Sequence, residues 1–428
     1  MTGTERNVLL IAYHYPPQKG SSGLLRTLKF SRYLPENGWT PTVLTVHPRA
    51  YESSDQSQLA EIPPEVEVIR AFALDTKRHL SIGGRYSRYM ALPDRWVSWV
   101  LGAVPAGLRA IRRKKISVIF STYPIATSPL IGYMLRKLTG KPWVLDLRDP
   151  ITDEDHPFDL LIRKAYRWIE DRAIINATVI LFTAPTTRDL CLKKYPTLRP
   201  ENCFVISNGY DEEDFVGLEG MAQSPGAAGA PLRLIHAGLI YPHERNPRPL
   251  FEALSRLKAA GKISADQVRI ELRATGNEQE YAAILNQLNI ADIVNLLPAL
   301  PYGDSLRESA SAAGLLLLQG PSCNHQIPAK AYEYLRLGRP ILALTAQAGD
   351  TAKLLRECGG ATIVDIENSR EIEDAVPRFL DALRSGVHPI SDRTLASRYS
   401  RRSQAQQLAQ ALDRAASLAA TPPARRSI

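Results

Sequence analysis

Residues 326–340, QIPAKAYEYLRLGRP, run straight into the apolar stretch ILAL, and this join constrains the chain more than any other segment. Proline is tolerated at the start of a helix, where its missing N–H has no partner to lose, so Pro328 marks the entry. Gly338 supplies the stop and Pro340 forbids continuation. Tyr332 and Leu335 then turn inward at helical spacing, Lys330, Glu333 and Arg336 stay on the polar side, and ILAL reads as a buried strand. The helix start, at Ile327, Pro328 and Ala329, would face the mouth of a parallel sheet, where unpaired N–H groups and the helix dipole favour an anion such as a diphosphate. Glu333, one turn further in, is placed to take a pair of ribose hydroxyls. The same pattern also describes an ordinary connecting helix of an α/β protein.

The rest of the chain repeats that grammar. Short apolar runs at residues 8–12, 42–46, 66–70, 117–121, 143–147, 178–182 and 204–207 alternate with helical stretches, among them 24–34 and 160–174. A second series follows at 233–237, 268–273, 293–297, 315–318, 341–344 and 361–364, and residues 404–418 read as a last helix. Alternation of this kind predicts parallel sheets covered by helices. A chain of 428 residues exceeds one core and suits two domains. A Gly, Ala, Pro and Ser-rich stretch at 217–230 reads as an exposed loop, and the tail TPPARRSI as disordered. No period of about 20 to 50 residues is evident, which argues against a solenoid.

The net charge of +9 is uneven. Residues 1–205 carry 29 Lys and Arg against 19 Asp and Glu, while the remainder carries 24 against 25. A basic first half suits an acidic partner: a phosphorylated acceptor, an anionic membrane surface or nucleic acid. The excess is densest at 77–115, with ten Lys and Arg against Asp94 alone and with Tyr86, Tyr89, Trp96 and Trp99 interleaved. On a helical wheel Trp96, Val100, Ala103, Gly107 and Ile111 share one face, with Arg109, Arg112 and Arg113 opposite. That face either packs on a sheet or dips into a lipid interface, and Pro105 would kink the helix. The four cysteines are scattered without metal spacing, favouring a reducing compartment and no structural zinc; no metal and no cofactor are expected. The start shows no signal-peptide pattern and no stretch has the length of a membrane span, so a cytoplasmic location is expected.

Three further segments carry candidate chemistry. Gly20, Ser21, Ser22 and Gly23 join the first strand to its helix and permit close backbone approach to a ligand, or equally an ordinary turn. They match neither G-x-G-x-x-G nor a P-loop. The strand at 143–147 ends in DLRDP, which places Asp146, Arg148 and Asp149 at the carboxyl end of a parallel strand, where α/β folds bind ligands. Asp146 can instead be an ion-paired structural residue; Asp149, further out, is the better placed to meet a substrate hydroxyl. The second series opens with HAGLIYPHERNPRPLFEAL, in which Gly238 leaves room for phosphates and Arg245 follows in the loop.

IPAKAYEYLRLGRPILAL resembles the C-terminal signature of the retaining glycosyltransferases of the GT-B fold, family four, and DLRDP resembles a motif of their bacterial polysaccharide branch. The YPPQKGSSG loop with Arg26 after it and the SNGYDEEDF connection are similar to the same family. The resemblance implies two Rossmann-like domains facing across a cleft: residues 1–207 for the acceptor, 208–395 for the nucleotide sugar, and a helix within 396–428 returning to the first. It implies metal-independent transfer, with retained configuration, from a nucleotide-sugar donor to a saccharide or polyprenyl-diphosphate-linked acceptor, the protein sitting at the inner face of the cytoplasmic membrane. Asp149, Arg245 and Lys330 would be catalytic. Gly20 to Gly23, Gly238, Gly276, His325, Ile327, Pro328, Ala329 and Glu333 would hold the donor, and Arg26, Asp146 and Arg148 the acceptor. Two positions depart from the pattern: His325 stands where the family has its first Glu, and Leu239 where it has a phosphate-binding Arg. Two alternatives keep the fold and change the chemistry: an epimerase acting on a nucleotide sugar, and a nucleotide-sugar-binding protein without turnover.

Overall fold

A computed structural model describes residues 6–19, 23–152, 157–221 and 230–420. Gly20, Ser21, Ser22 and the TPPARRSI tail lie outside the described residues, as does most of the Gly-rich loop. The chain divides into two compact units, Met1–Ser207 with Arg401–Ile428, and Asn208–Ser400.

In the first unit the elements run β1 (Asn7–Ile11), α1 (Gly23–Tyr33), β2 (Thr40–Val46), β3 (Glu67–Ala71), α2 (Thr76–His79), α3 (Trp99–Arg113), β4 (Val118–Thr122) and α4 (Thr127–Thr139). They continue through β5 (Trp143–Leu147), α5 (Leu160–Asn176), β6 (Val179–Phe182), α6 (Pro185–Lys194) and β7 (Cys203–Val205). The seven strands form one sheet in the order β3-β2-β1-β4-β5-β6-β7, with every pairing parallel. Strands β4, β5 and β6 are buried from end to end, which is why they read as largely apolar runs rather than as alternation, with Ser121, Thr122 and Asp146 as the buried polar exceptions. The side chains still divide by period two. Leu9 and Ile11 join α3 and α4 residues on one face, and Val8 and Leu10 join residues of α1 and of the last helix on the other.

The apolar face of the 96–111 stretch packs on this sheet. Trp99, Ala103 and Ile111 are buried in the core, with Trp96 and Val100 against it. That face is therefore not offered to a lipid interface. Gly107 lets α3 approach α4 closely, since a Cβ there would sit 2.6 Å from Leu135 Cδ1. Pro105 lies inside α3 without ending it.

The second unit runs β8 (Leu232–Ala237), α7 (Arg248–Ala259), β9 (Val268–Arg273), α8 (Glu278–Gln287), β10 (Val294–Leu297), α9 (Tyr302–Ser311), β11 (Gly314–Gln319) and α10 (Ala329–Leu337). It closes with β12 (Ile341–Thr345), α11 (Asp350–Cys358), β13 (Ala361–Val364), α12 (Ser369–Arg384) and α13 (Arg393–Ser397). Its sheet has the order β10-β9-β8-β11-β12-β13, again parallel throughout. Residues of α7, α8 and α12 cover one face and residues of α9, α10, α11 and α13 the other. The final helix, α14 (Arg401–Ala420), packs with α1 in the first unit through Ala405, Leu408 and Leu412.

Each unit is thus a Rossmann-like doubly wound sheet. In such sheets the connections leave in opposite directions at one pair of strands, and ligands bind beyond the carboxyl ends there. The reversal lies between β1 and β4 in the first unit and between β8 and β11 in the second. The bounds of α10 follow the sequence signals. Pro328 caps its start in an extended conformation, and Gly338, at φ +63°, ends it by donating its N–H to the Tyr334 and Leu335 carbonyls.

Candidate functional site

At the reversal point of the second unit the β8–β11 ladder pairs Leu234 with Gly314 and Ile235 with Leu315, then stops. His236 takes over where the backbone parts. Its fully buried ring spans the gap, and Nδ1 lies 2.9 Å from the Leu316 carbonyl. A carbonyl only accepts, so Nδ1 carries the proton and Nε2 presents a lone pair. Lys330 Nζ donates to that lone pair at 2.9 Å. Burial, reinforced by the Lys330 charge, holds the imidazole pKa well below its ordinary value, so the ring stays neutral.

Lys330 belongs to the first turn of α10, and its ammonium lies over Gly238, directly after β8. Gly238 has φ +112°, and a Cβ there would stand 3.2 Å from Lys330 Nζ, so both backbone and space call for glycine. Desolvation first and the nearby Arg245 charge second bring the Lys330 pKa down to about 7, with Glu333 pulling the other way. Arg245 is aimed by two bonds: Nε donates to Gln319 Oε1 at the end of β11, and a terminal nitrogen donates to the Leu239 carbonyl, each at 3.2 Å. Its loop is clamped where the Gly320 N–H donates to the Glu244 carbonyl at 2.6 Å, a crossing that any side chain at Gly320 would block.

Beside this cationic floor opens a concavity of about 290 Å³, reached by Gly238, Lys330 and Glu333. Ala274, Leu300 and Leu306 supply apolar wall. Glu333 accepts from the Tyr302 hydroxyl at 2.9 Å, and both groups line the space. Arg273, at the end of β9, is held in a two-bond fork by Glu308 and donates to the Pro298 carbonyl, so its charge is already matched. Ala274 adopts φ +54°, a left-handed conformation that costs a residue with a Cβ about 1 kcal/mol or more and that folds retain chiefly at ligand sites. Backbone N–H groups of the α10 first turn, an ammonium and a guanidinium together suit a polyanion, and a carboxylate one turn away suits vicinal hydroxyls.

Of the residues singled out in sequence, the second unit thus gathers Gly238, Arg245, Lys330 and Glu333, with Pro328 and Ala329 forming the α10 start. Gly276 sits in the neighbouring turn at φ +83°, its N–H donating to Glu278 Oε1, and packs toward Leu239 rather than lining the concavity. His325 is half-buried in the turn before α10, and Ile327 packs on the core beneath it. No spacing in the sequence singles out His236; the parting of β8 and β11 gives it a task.

The first unit disposes of its candidates differently. Arg26 of α1 and Asp146 of β5 are both buried and form a two-bond ion pair, Nε to Oδ2 at 3.0 Å and a terminal nitrogen to Oδ1 at 2.8 Å. Arg26 also donates to the Ile206 and Ser207 carbonyls, and Thr122 Oγ1 donates to Asp146. The acceptor contact expected of both is replaced by a strut joining α1, β5 and the end of the unit, because every polar atom of the pair is spent inside. Arg148 and Asp149 are half-buried just beyond β5. Burial lowers the Arg148 pKa and Asp149 opposes the shift, so the two sense each other directly. His14, after β1, is bound to Gln18 and stays neutral, its pKa lowered to about 4 chiefly by burial and further by Arg148. Gly23 is the buried first residue of α1.

A sequence model of the Glycosyl transferase 4-like domain matches residues 25–209. No curated protein sequence matches the chain. Among solved structures, HepE of Anabaena in complex with UDP and glucose superposes with a TM-score of 0.63 at 15% identity, over 95% of this chain and 99% of that one. The α,α-trehalose 6-phosphate synthase of Burkholderia multivorans gives 0.65 at 12% identity over 99% of each chain. Sucrose-phosphate synthase of Thermosynechococcus elongatus gives 0.59 at 14% over 96% and 97%. The fold is GT-B. Within it, the cationic concavity of the second unit lies at the reversal point of its sheet, the place where open α/β sheets bind ligands. Among the described residues no group of three or more His, Cys, Asp or Glu side chains is placed to hold a metal ion.

Proposed function

We propose that the protein is a retaining glycosyltransferase that moves a sugar from a nucleotide-sugar donor to a saccharide or polyprenyl-diphosphate-linked acceptor in bacterial surface polysaccharide synthesis. The observation that carries the reading is Lys330, held by His236 over Gly238 at the mouth of a concavity that also contains Glu333. In this reading the donor diphosphate lies against Lys330, Arg245 and the α10 start, and Glu333 takes the ribose hydroxyls. When the bond from the anomeric carbon to the diphosphate breaks, the electron pair leaves with the phosphate, and these cations stabilise the charge as it develops. The relatives named above support the donor class, since UDP and glucose occupy one of them. The basic first unit receives the acceptor in this reading, with Asp149 meeting its hydroxyl and Arg148 its charge. The enzyme would work at the cytoplasmic face of the membrane.

The matched Glycosyl transferase 4-like domain favours transfer over epimerisation. Leu239, 47% exposed where the family pattern has a cation, favours a second reading in which the sugar nucleotide is bound without turnover. Thermal stabilisation by UDP-, GDP- and TDP-sugars separates these. One of them stabilises the native protein; Glu333→Ala abolishes that stabilisation, whereas Asp149→Ala keeps it and stops transfer. Equal stabilisation of Glu333→Ala refutes the ribose site, and donor binding with no transfer to any lipid-linked saccharide selects the second reading.

A further inference from the structure

The start of α9 and the middle of α10 meet at the concavity of the second unit. Pro301, at φ −53° and ψ 147°, turns the chain into α9, so Tyr302 is its first helical residue. Leu306 and Ala310, one and two turns on, share a buried core with Tyr332, Tyr334 and Leu335 of α10, which fixes the two helices against each other. Glu333 stands between two of those anchors. The hydroxyl of one, Tyr334, accepts from the Ala237 N–H at 3.3 Å, so the α10 backbone under Glu333 is tied to the end of β8.

Across 31 residues of sequence the Tyr302 hydroxyl donates to Glu333 Oε1 at 2.9 Å, and both side chains line the concavity together with Gly238 and Lys330. Tyr302 is 43% exposed, so burial does not impose this bond. A phenol has one proton to give and a carboxylate has none. With that proton directed at Oε1, the pair presents acceptors to a ligand: the carboxylate through Oε2, and the phenolic oxygen through its lone pairs. Ala274, Ala299, Leu300 and Leu306 give the same space apolar wall. Two acceptors side by side, each set on a packed helix, match two neighbouring hydroxyls that bring one donor each.

We infer that Tyr302 is a specificity-determining residue, forming with Glu333 a two-acceptor clamp that takes both hydroxyls of a ribose, one at the phenol and one at the carboxylate. The clamp selects ribonucleotide donors, those of uridine or guanosine, over 2′-deoxyribonucleotide donors such as those of thymidine. It belongs to the donor site proposed above and stands only with it. A ligand lacking one hydroxyl leaves one of the two acceptors unmatched against it, and a site built to bond a hydroxyl rejects the analogue without it for that reason.

Calorimetric titration of the full-length protein with UDP, GDP and TDP, and with the 2′-deoxy and 3′-deoxy analogues of the first two, tests the clamp. UDP or GDP should bind, about tenfold or more tighter than either of its analogues. Tyr302→Phe keeps the ring and removes the phenolic oxygen. It should weaken the ribonucleotide about tenfold and bring it level with one of the two analogues, whose own affinity stays as in the native protein. A bond that only braces α9 against α10 would weaken all three ligands alike, and that result overturns the clamp. Equal native affinity for the ribonucleotide and both analogues overturns it too, as does tighter ribonucleotide binding in Tyr302→Phe, which would make the phenol a competitor for Glu333. TDP binding tighter than UDP and GDP removes the clamp and leaves the donor site standing. No binding of any of the three removes both.

Discussion

The carboxyl ends of the two sheets place buried or half-buried cations in opposite circumstances. In the first unit Arg26 meets Asp146 in a fork and two carbonyls besides, and nothing of either side chain is left over. In the second, Lys330 leans on a neutral imidazole at the edge of an open concavity, and Arg245 nearby leans on an amide and a carbonyl, so neither of these partners is a carboxylate. A neutral partner orients a cation without cancelling it; a carboxylate cancels it. The same doubly wound topology holds a buried ion pair in one unit and cations on neutral partners in the other, the arrangement that the proposed function uses as an anion seat.

The largest effect that sharpens this contrast is on the strut. Asp146→Ala leaves the Arg26 guanidinium buried and unmatched, and should cost about 3–5 kcal/mol of stability in urea unfolding. The paired replacement Arg26→Met with Asp146→Leu should cost much less, since no charge is stranded. Equal costs would mean that the pair is not acting as a closed unit. Next, Lys330→Met should leave urea stability nearly unchanged and weaken a nucleotide sugar by about 1.5–3 kcal/mol, ten- to a hundredfold, the value of a charge-assisted hydrogen bond. Gly238→Ala places a Cβ against that ammonium at a left-handed φ, and should cost about 1–2 kcal/mol in stability along with donor affinity.

The smallest effect is graded by pH. Lys330 has its pKa lowered to about 7, so the seat is charged below that value and progressively neutral above it. Donor affinity should therefore fall as pH rises through 7, by up to about tenfold per unit, and Lys330→Met should flatten the profile. For folding the sign is opposite. Between about 7 and the ordinary 10.5 the unfolded chain holds the extra proton, so this group's contribution to stability improves with rising pH.

Much of the fold is local and therefore legible. Strands buried on both faces announce themselves as short apolar runs, and α10 declares its bounds through Pro328 and Gly338. The candidate site was legible where its residues sit close together in sequence, as with Lys330 and Glu333 on one helix. What could not be read depends on strand order. Arg26 and Asp146 are 120 residues apart, and His236 reaches Leu316 across 80, so each partnership exists only once the sheet has assembled. The apolar wheel of the 96–111 stretch was equally ambiguous, because a face that packs on a sheet and a face that enters a bilayer have the same sequence.

Calorimetric titration of UDP-, GDP- and TDP-sugars into the native protein and into Lys330→Met tests the central claim most directly. The account predicts saturable heat for the native protein with one of these donors, and at least about a tenfold loss of affinity in the variant at pH 6.5. No heat with any of the three, or the same affinity with and without the ammonium, would contradict it.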